Sequence, residues 1–313
     1  MPTSISPSEH PISRSRPAWV RRGLLAGQSV LLMPWIGGDA LRVTSAVPRA
    51  NALLVTTRDH FYKIGRSPRN TIALEYEKYR HLASCCAELT PHLPEVRFWT
   101  RFHRPILQMN RIHFAESNEM AHRHAHAALD LLRRKAHAGT PADWKAFPYL
   151  QAGVDRARSC IDAARFAALE RILEKASRQS CRIGPVYGDF HHENLLSVGD
   201  GQFYLIDPVC FMPAGIQAYD ALHYIAYWTW KASGKEWSHW MDAAIECQRS
   251  GWAIPGCEPI ARNFVDVDLS VAGVFYATAR LGQLTFLLGD GWQMPERQKA
   301  GLSALVDQCM DGT

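Results

Sequence analysis

The chain has 313 residues, 47% hydrophobic and 21% charged, enough for one large or two-lobed domain and too apolar for a disordered protein. Its formal net charge of +5 divides unevenly, +9 over residues 1–210 and −4 over 211–313. A basic front half suits phosphate binding, but no dense basic patch with interleaved aromatics marks a nucleic-acid binder.

Eight cysteines with no Cys-x-x-Cys pair point to reduced thiols in a cytosolic protein rather than a disulfide frame or zinc site. No apolar run approaches the ~20 residues needed to span a membrane. Residues 1–38 read as a flexible basic tail followed by a short helix. Arg21-Arg22 before Gly23-Leu24-Leu25 has the look of a twin-arginine export signal, yet no small-x-small cleavage site follows, and a cytoplasmic protein is expected.

Strand patterns begin after Gly37-Gly38. Leu41–Val47 alternates, 50–57 is apolar, and Phe61–Ile64 forms a third strand. Lys63 lies inside that short apolar run, where a charge requires a partner unless it faces outward from the sheet. A helix is expected over 70–87. On it Glu75 and Glu77 stand about 200° apart. Glu75 shares a face with Tyr79 and Leu82, so it points inward. Glu77, beside Arg80, His81 and Ser84, belongs to the solvated face.

Strands over 96–101 and 105–112 close this region, and long helices follow at 115–138 and 152–178. In the second, Ile161, Ala164, Ala168 and Ile172 recur as a core stripe. His122 and His126 stand four apart without a third ligand nearby in sequence, and read as a surface pair rather than a metal site.

The most informative segment is Tyr187-Gly188-Asp189-Phe190-His191-His192-Glu193-Asn194, followed by Ile206-Asp207-Pro208. Two apolar runs between them flank Asp200-Gly201, the favoured pair for a two-residue hairpin loop. That loop places Asn194 opposite Asp207 at the hairpin's open end, with Asp189 in the loop that enters it. Oxygen ligands on two strands beside a spare carboxylate suit a hard cation carrying a nucleotide phosphate. Farther on, the acidic stretch after 210 carries Trp228, Trp230, Trp237, Trp240, Trp252 and Trp292, a candidate acceptor pocket or ordinary helix packing.

Gly-Asp-Phe-His-x-x-Asn followed by Ile-Asp-Pro resembles the aminoglycoside phosphotransferase and choline kinase-like branch of the protein kinase-like superfamily. Tyr187 stands where that branch most often has His, and His192-Glu193 where Pro-Gly is frequent. The resemblance implies an α+β, two-lobed kinase-like fold, with a small antiparallel-sheet N-lobe (39–110) and a larger, mainly helical C-lobe (111–313).

It further implies that Asp189 is the catalytic carboxylate, that Asn194 and Asp207 hold Mg²⁺, and that Lys63, fixed by Glu75, grips the phosphates of ATP or GTP. Asn51 matches an Asn often seen in the phosphate-covering turn, which here has no glycine. Gln108–Arg111, with Met109 and Arg111, would form the hinge that meets adenine. Asp220 matches an Asp that anchors the catalytic loop. The implied activity is phosphoryl transfer to a hydroxyl of a small molecule: an antibiotic, a sugar or amino alcohol, or a cell-envelope sugar. A non-catalytic nucleotide-binding relative is the alternative from another class.

Overall fold

The computed structural model describes residues 31–49, 52–66, 71–114, 117–138, 143–178, 181–199, 201–236, 239–289 and 291–311. Asn51, the tail up to 30, Asn70, Asp200 and Trp237 lie outside the described residues. The chain divides into two compact units, Met1–Ala73 with Glu95–Arg111, and Leu74–Pro94 with Ile112–Thr313.

The first unit is a five-stranded antiparallel sheet, β1 (Val43–Pro48), β2 (Ala52–Thr57), β3 (His60–Gly65), β4 (Val96–Arg101) and β5 (Arg104–Asn110), in the order β1-β2-β3-β5-β4. The period of two decides its faces. Val55, Tyr62, Ile64 and Ile106 form a small core with Leu32, Ile36 and Ala40 from the segment preceding β1. Lys63, between Tyr62 and Ile64 in sequence, takes the opposite face, with Leu54 and Leu107 as its cross-strand partners.

The second unit is mainly helical. From Leu74 onward it includes α1 (Ile72–Cys85), then α2 (Asn118–Arg133), α3 (Pro148–Arg158), α4 (Ala163–Arg178), α5 (Ala218–Ala232), α6 (Trp240–Arg249), α7 (Glu258–Phe264), α8 (Ala272–Leu288) and α9 (Glu296–Asp311). The expected helix over 152–178 is therefore two helices. The second begins just after Asp162, whose carboxylate accepts the Arg165 N–H at 3.0 Å. Ile161 lies before this second helix and Ala164 is exposed in its first turn, so the buried positions are Ala168, Leu169, Ile172, Leu173 and Ala176. A second sheet pairs β7 (Arg182–Val186) with the short β6 (His137–Ala138) on one side and β10 (Met212–Ile216) on the other.

Helices α3 and α8 approach until backbone meets backbone. A Cβ on Gly282 would sit 1.7 Å from the Tyr149 carbonyl oxygen, and one on Gly153 would sit 1.9 Å from that of Thr278. Neither neighbour is a flexible side chain, so Gly282→Ala forces the helices apart. We expect a loss of at least ~1–3 kcal/mol, seen as a melting temperature several degrees lower. An unchanged melting temperature would show that the two helices can separate freely.

Candidate active site

The phase of α1 is as read. Glu75, Tyr79 and Leu82 are buried, and Glu77, Arg80, His81 and Ser84 are exposed. Burial, reinforced by the Glu75 charge, raises the Tyr79 hydroxyl well above its ordinary range, so it stays protonated. Lys63 belongs to the sheet unit and Glu75 to the helical unit. Met109 is buried in the β5 ladder opposite Phe61 and Val96. Arg111 donates its N–H to the Asp59 carbonyl at 2.8 Å, and its guanidinium to that of Thr57 at 3.1 Å.

Strand β7 delivers Tyr187-Gly188-Asp189. Gly188 adopts φ 90°, and a Cβ there would lie 2.4 Å from the Cys210 carbonyl oxygen, so only glycine fits. The N–H groups of Tyr187 and Gly188 donate to the Asp220 carboxylate at 2.6 and 2.7 Å, the anchoring expected of that residue. Burial raises the Asp220 carboxyl to about 7, while these two bonds pull against it. The Tyr187 hydroxyl donates to the Ile206 carbonyl and ties the loop to the following hairpin.

After Asp189 the chain makes one 3₁₀ turn, His192–Asn194, and enters β8 (Leu195–Ser197). Asn194 Nδ2 donates to the Asp189 carbonyl at 2.9 Å and lies 3.3 Å from its Oδ2. The hairpin register differs by one from the expected one. Leu195 pairs with Leu205 of β9 (Phe203–Leu205), and Ile206 N–H donates to the Asn194 carbonyl, so Asn194 faces Ile206, not Asp207. Val198 N–H donates to the Gln202 carbonyl, and Gly199 and Gly201 both take positive φ, so the loop holds three residues. Asp207 comes next, in the left-handed region at φ 61° and ψ 52°, with its N–H donated to the Tyr79 hydroxyl at 3.1 Å. Left-handed backbone is uncommon outside glycine and tolerated best by Asn and Asp.

The Asp189 carboxylate is heavily solvated by protein. Arg280 Nη1 lies 2.9 Å and His223 Nε2 3.2 Å from Oδ1, and His191 Nε2 is 3.6 Å from Oδ2. Burial pushes the carboxyl up, but the Arg280 charge and the two imidazoles outweigh it and hold it well below the usual carboxylate range. His223 is depressed to about 3, by burial first and by Arg280 second. Its neutral ring therefore donates from Nε2 to Asp189 and accepts at Nδ1 from the Tyr276 hydroxyl, 3.1 Å away. Sequence reading missed His223 and Arg280. The signal was there: Arg280 is the lone charge in the apolar helix α8, an oddity of the same kind as Lys63 in its strand.

Beside this segment a cavity of about 530 Å³ is lined by Phe114, Asn118, His192, Glu193, Trp228 and Lys231 among others. Of the tryptophans read as either a pocket or ordinary packing, Trp228 lines this cavity, whereas Trp240 and Trp252 are core residues that pack on Tyr276. The cavity's carboxylate, Glu193, is 3.2 Å from the Lys231 ammonium and accepts from the Tyr227 hydroxyl at 2.8 Å. The wall is thus charge-balanced rather than acidic. His122 and His126 do not converge on a metal. His122 pairs with the Tyr224 hydroxyl and packs its ring, tilted, 4.4 Å from that of Trp228, and His126 pairs with Asn263. Among the described residues no group of three or more His, Cys, Asp or Glu could hold a metal ion. Mg²⁺ needs no such group, because it binds through one or two carboxylates together with phosphates and water. Asn194 and Asp207 fit that donor set. The amide nitrogen of Asn194 is committed to Asp189, so its oxygen is the atom that would face such an ion.

Three solved structures share this architecture. A thermostable mutant of aminoglycoside phosphotransferase APH(4)-Ia is 14% identical, covers 91% of this chain and 99% of its own, and gives a TM-score of 0.52. A protein assigned as a fructosamine-3-kinase from Haemophilus somnus is 13% identical over 90% and 96%, with a TM-score of 0.53. This chain has the protein kinase-like fold. Choline kinase LicA from Streptococcus pneumoniae has the same kinase-like fold, at 11% identity over 94% and 100% and a TM-score of 0.51. No family model matches the sequence, and a search of curated proteins finds no significant match. Within the kinase-like fold the first unit is the strand-rich lobe and the second the helical one. Among the described residues no helix is long and apolar enough to cross a membrane.

Proposed function

We propose that this protein is a small-molecule kinase that transfers the γ-phosphoryl group of ATP or GTP to a hydroxyl of an antibiotic, sugar or amino-alcohol acceptor. The observation that carries the reading is the Asp189–Asn194 pair at the mouth of a hairpin whose second strand runs into a left-handed Asp207. The fold supports it. The APH(4)-Ia fold has been solved as a ternary complex with ADP and hygromycin B.

Asp189 orients the acceptor hydroxyl and takes its proton. Asn194 and Asp207 would hold Mg²⁺, which when bound supplies neutralisation of the phosphate charge. Lys63, fixed by Glu75, positions the α- and β-phosphates. Asn51 adds to the phosphate-covering turn, and Met109 and Arg111 belong to the stretch that meets adenine. The cavity beside His192–Asn194 has room for a small-molecule group. Dependence on cellular nucleotide makes the cytoplasm the place of action.

The test is consumption of ATP and GTP against a panel of aminoglycosides, other antibiotics, amino alcohols and sugars. Acceptor-dependent turnover is expected for one class. Nucleotide binding with no transfer to any member of the panel would favour a non-catalytic nucleotide-binding protein.

The two glutamates of α1 provide a second test. Glu75→Gln should lower kcat by ~10–10²-fold by freeing Lys63, whereas Glu77→Gln should change it less than ~2-fold. Equal effects from the two substitutions would remove Glu75 from its assigned role.

A further inference from the structure

We propose that Arg280 is a positioning residue that fixes the Asp189 carboxylate in one orientation and leaves Oδ2 as the oxygen that meets the acceptor hydroxyl. This rests on the phosphotransferase reading above. Arg280 is the single charged residue in Ala272–Leu288 and is 4% exposed. A guanidinium in such surroundings is stable only against an anion and further acceptors. It has both. Nη1 is 2.9 Å from Asp189 Oδ1 and 3.2 Å from Gln283 Oε1, and the Tyr219 hydroxyl holds that same amide oxygen at 2.6 Å. The depth of α8 is set two residues later, where Gly282 is packed against the Tyr149 carbonyl.

The two carboxylate oxygens are therefore unlike. Oδ1 receives Arg280 and His223, the latter with its ring held by Tyr276. Two donors on one oxygen occupy its lone pairs. Among the described residues, Oδ2 meets the long Asn194 contact at 3.3 Å and His191 at 3.6 Å, the second beyond hydrogen-bond range. The Asp189 side chain is 27% exposed, against 4% for Arg280 and 0% for His223. Its accessible side is not the one those two residues cover. A carboxylate so held is a well-aimed one. That suits phosphoryl transfer, in which positioning dominates.

A kinetic double-mutant cycle tests this, with Asp189→Asn crossed against Arg280→Lys, which keeps the charge but loses the fork, and against Arg280→Gln. With Asp189 intact, kcat should fall by ~10-fold for Arg280→Lys and ~10²-fold for Arg280→Gln, with both KM values within ~3-fold. In the Asp189→Asn background neither substitution should lower residual turnover more than ~2-fold, because the group being positioned is gone. Costs that multiply with Asp189→Asn, or a rise in KM at constant kcat, would overturn the proposal while leaving the kinase reading standing. Near-wild-type turnover in Asp189→Asn alone would overturn both. Should thermal melts show that Arg280→Gln does not fold, Arg280→Lys completes the cycle.

Discussion

Asp189→Asn is expected to lower turnover by at least ~10²-fold while nucleotide affinity stays within a few-fold of wild type. The geometry sharpens this expectation. Arg280 and His223 both donate toward Oδ1, so the oxygen of the introduced amide will take that place and its NH₂ group will take the place of Oδ2. A donor then stands where the acceptor hydroxyl must give up its proton. The substitution also leaves the buried Arg280 facing a neutral partner, so the melting temperature should drop by several degrees. Rates must be compared well below that temperature. Single-turnover transfer and nucleotide titration, read together, separate the two effects. Turnover within a few-fold of wild type would take the chemistry away from Asp189.

The candidate catalytic segment stood out in the sequence because its pattern is compressed into eight residues plus one hairpin. The Asp220 anchor was equally plain, as was the phase of α1, where a helical repeat of 3.6 puts Glu75 with Tyr79 and Leu82. The hairpin register was not legible. Leu195-Leu196-Ser197-Val198 and Phe203-Tyr204-Leu205-Ile206 carry apolar residues in both phases, so alternation cannot tell which residues face inward. The turn decides it, and the chain uses Gly199 and Gly201 on either side of residue 200 instead of an Asp-Gly pair. The break between α3 and α4 was hidden by a continuous helical period, although Asp162 offered the capping signal that marks it. The ring of groups around Asp189 could not be assembled from sequence, because His223 and Arg280 lie 34 and 91 residues away from it. What sequence could have offered was the oddity of one arginine among apolar neighbours.

Asp207→Ala is expected to abolish transfer and to remove the Mg²⁺-dependent part of nucleotide affinity. Asp207 is the carboxylate at the hairpin mouth, and its contribution has two separable parts. One is charge, required by a hard cation that takes oxygen ligands. The other is backbone, since φ 61° and ψ 52° are strained for most residues by about 1–2 kcal/mol, and far less for Asn or Gly. Asp207→Ala loses both. Asp207→Asn keeps the tolerant backbone and loses the charge, and Asp207→Gly relieves the backbone altogether. If the carboxylate holds the metal, all three variants fail alike in transfer, while only Asp207→Ala shows an added loss of thermal stability. Nucleotide affinity measured with and without Mg²⁺ should then give one value in each variant and two in the wild type. Transfer restored in Asp207→Asn or Asp207→Gly would mean that the left-handed turn, not the carboxylate, is what the reaction needs.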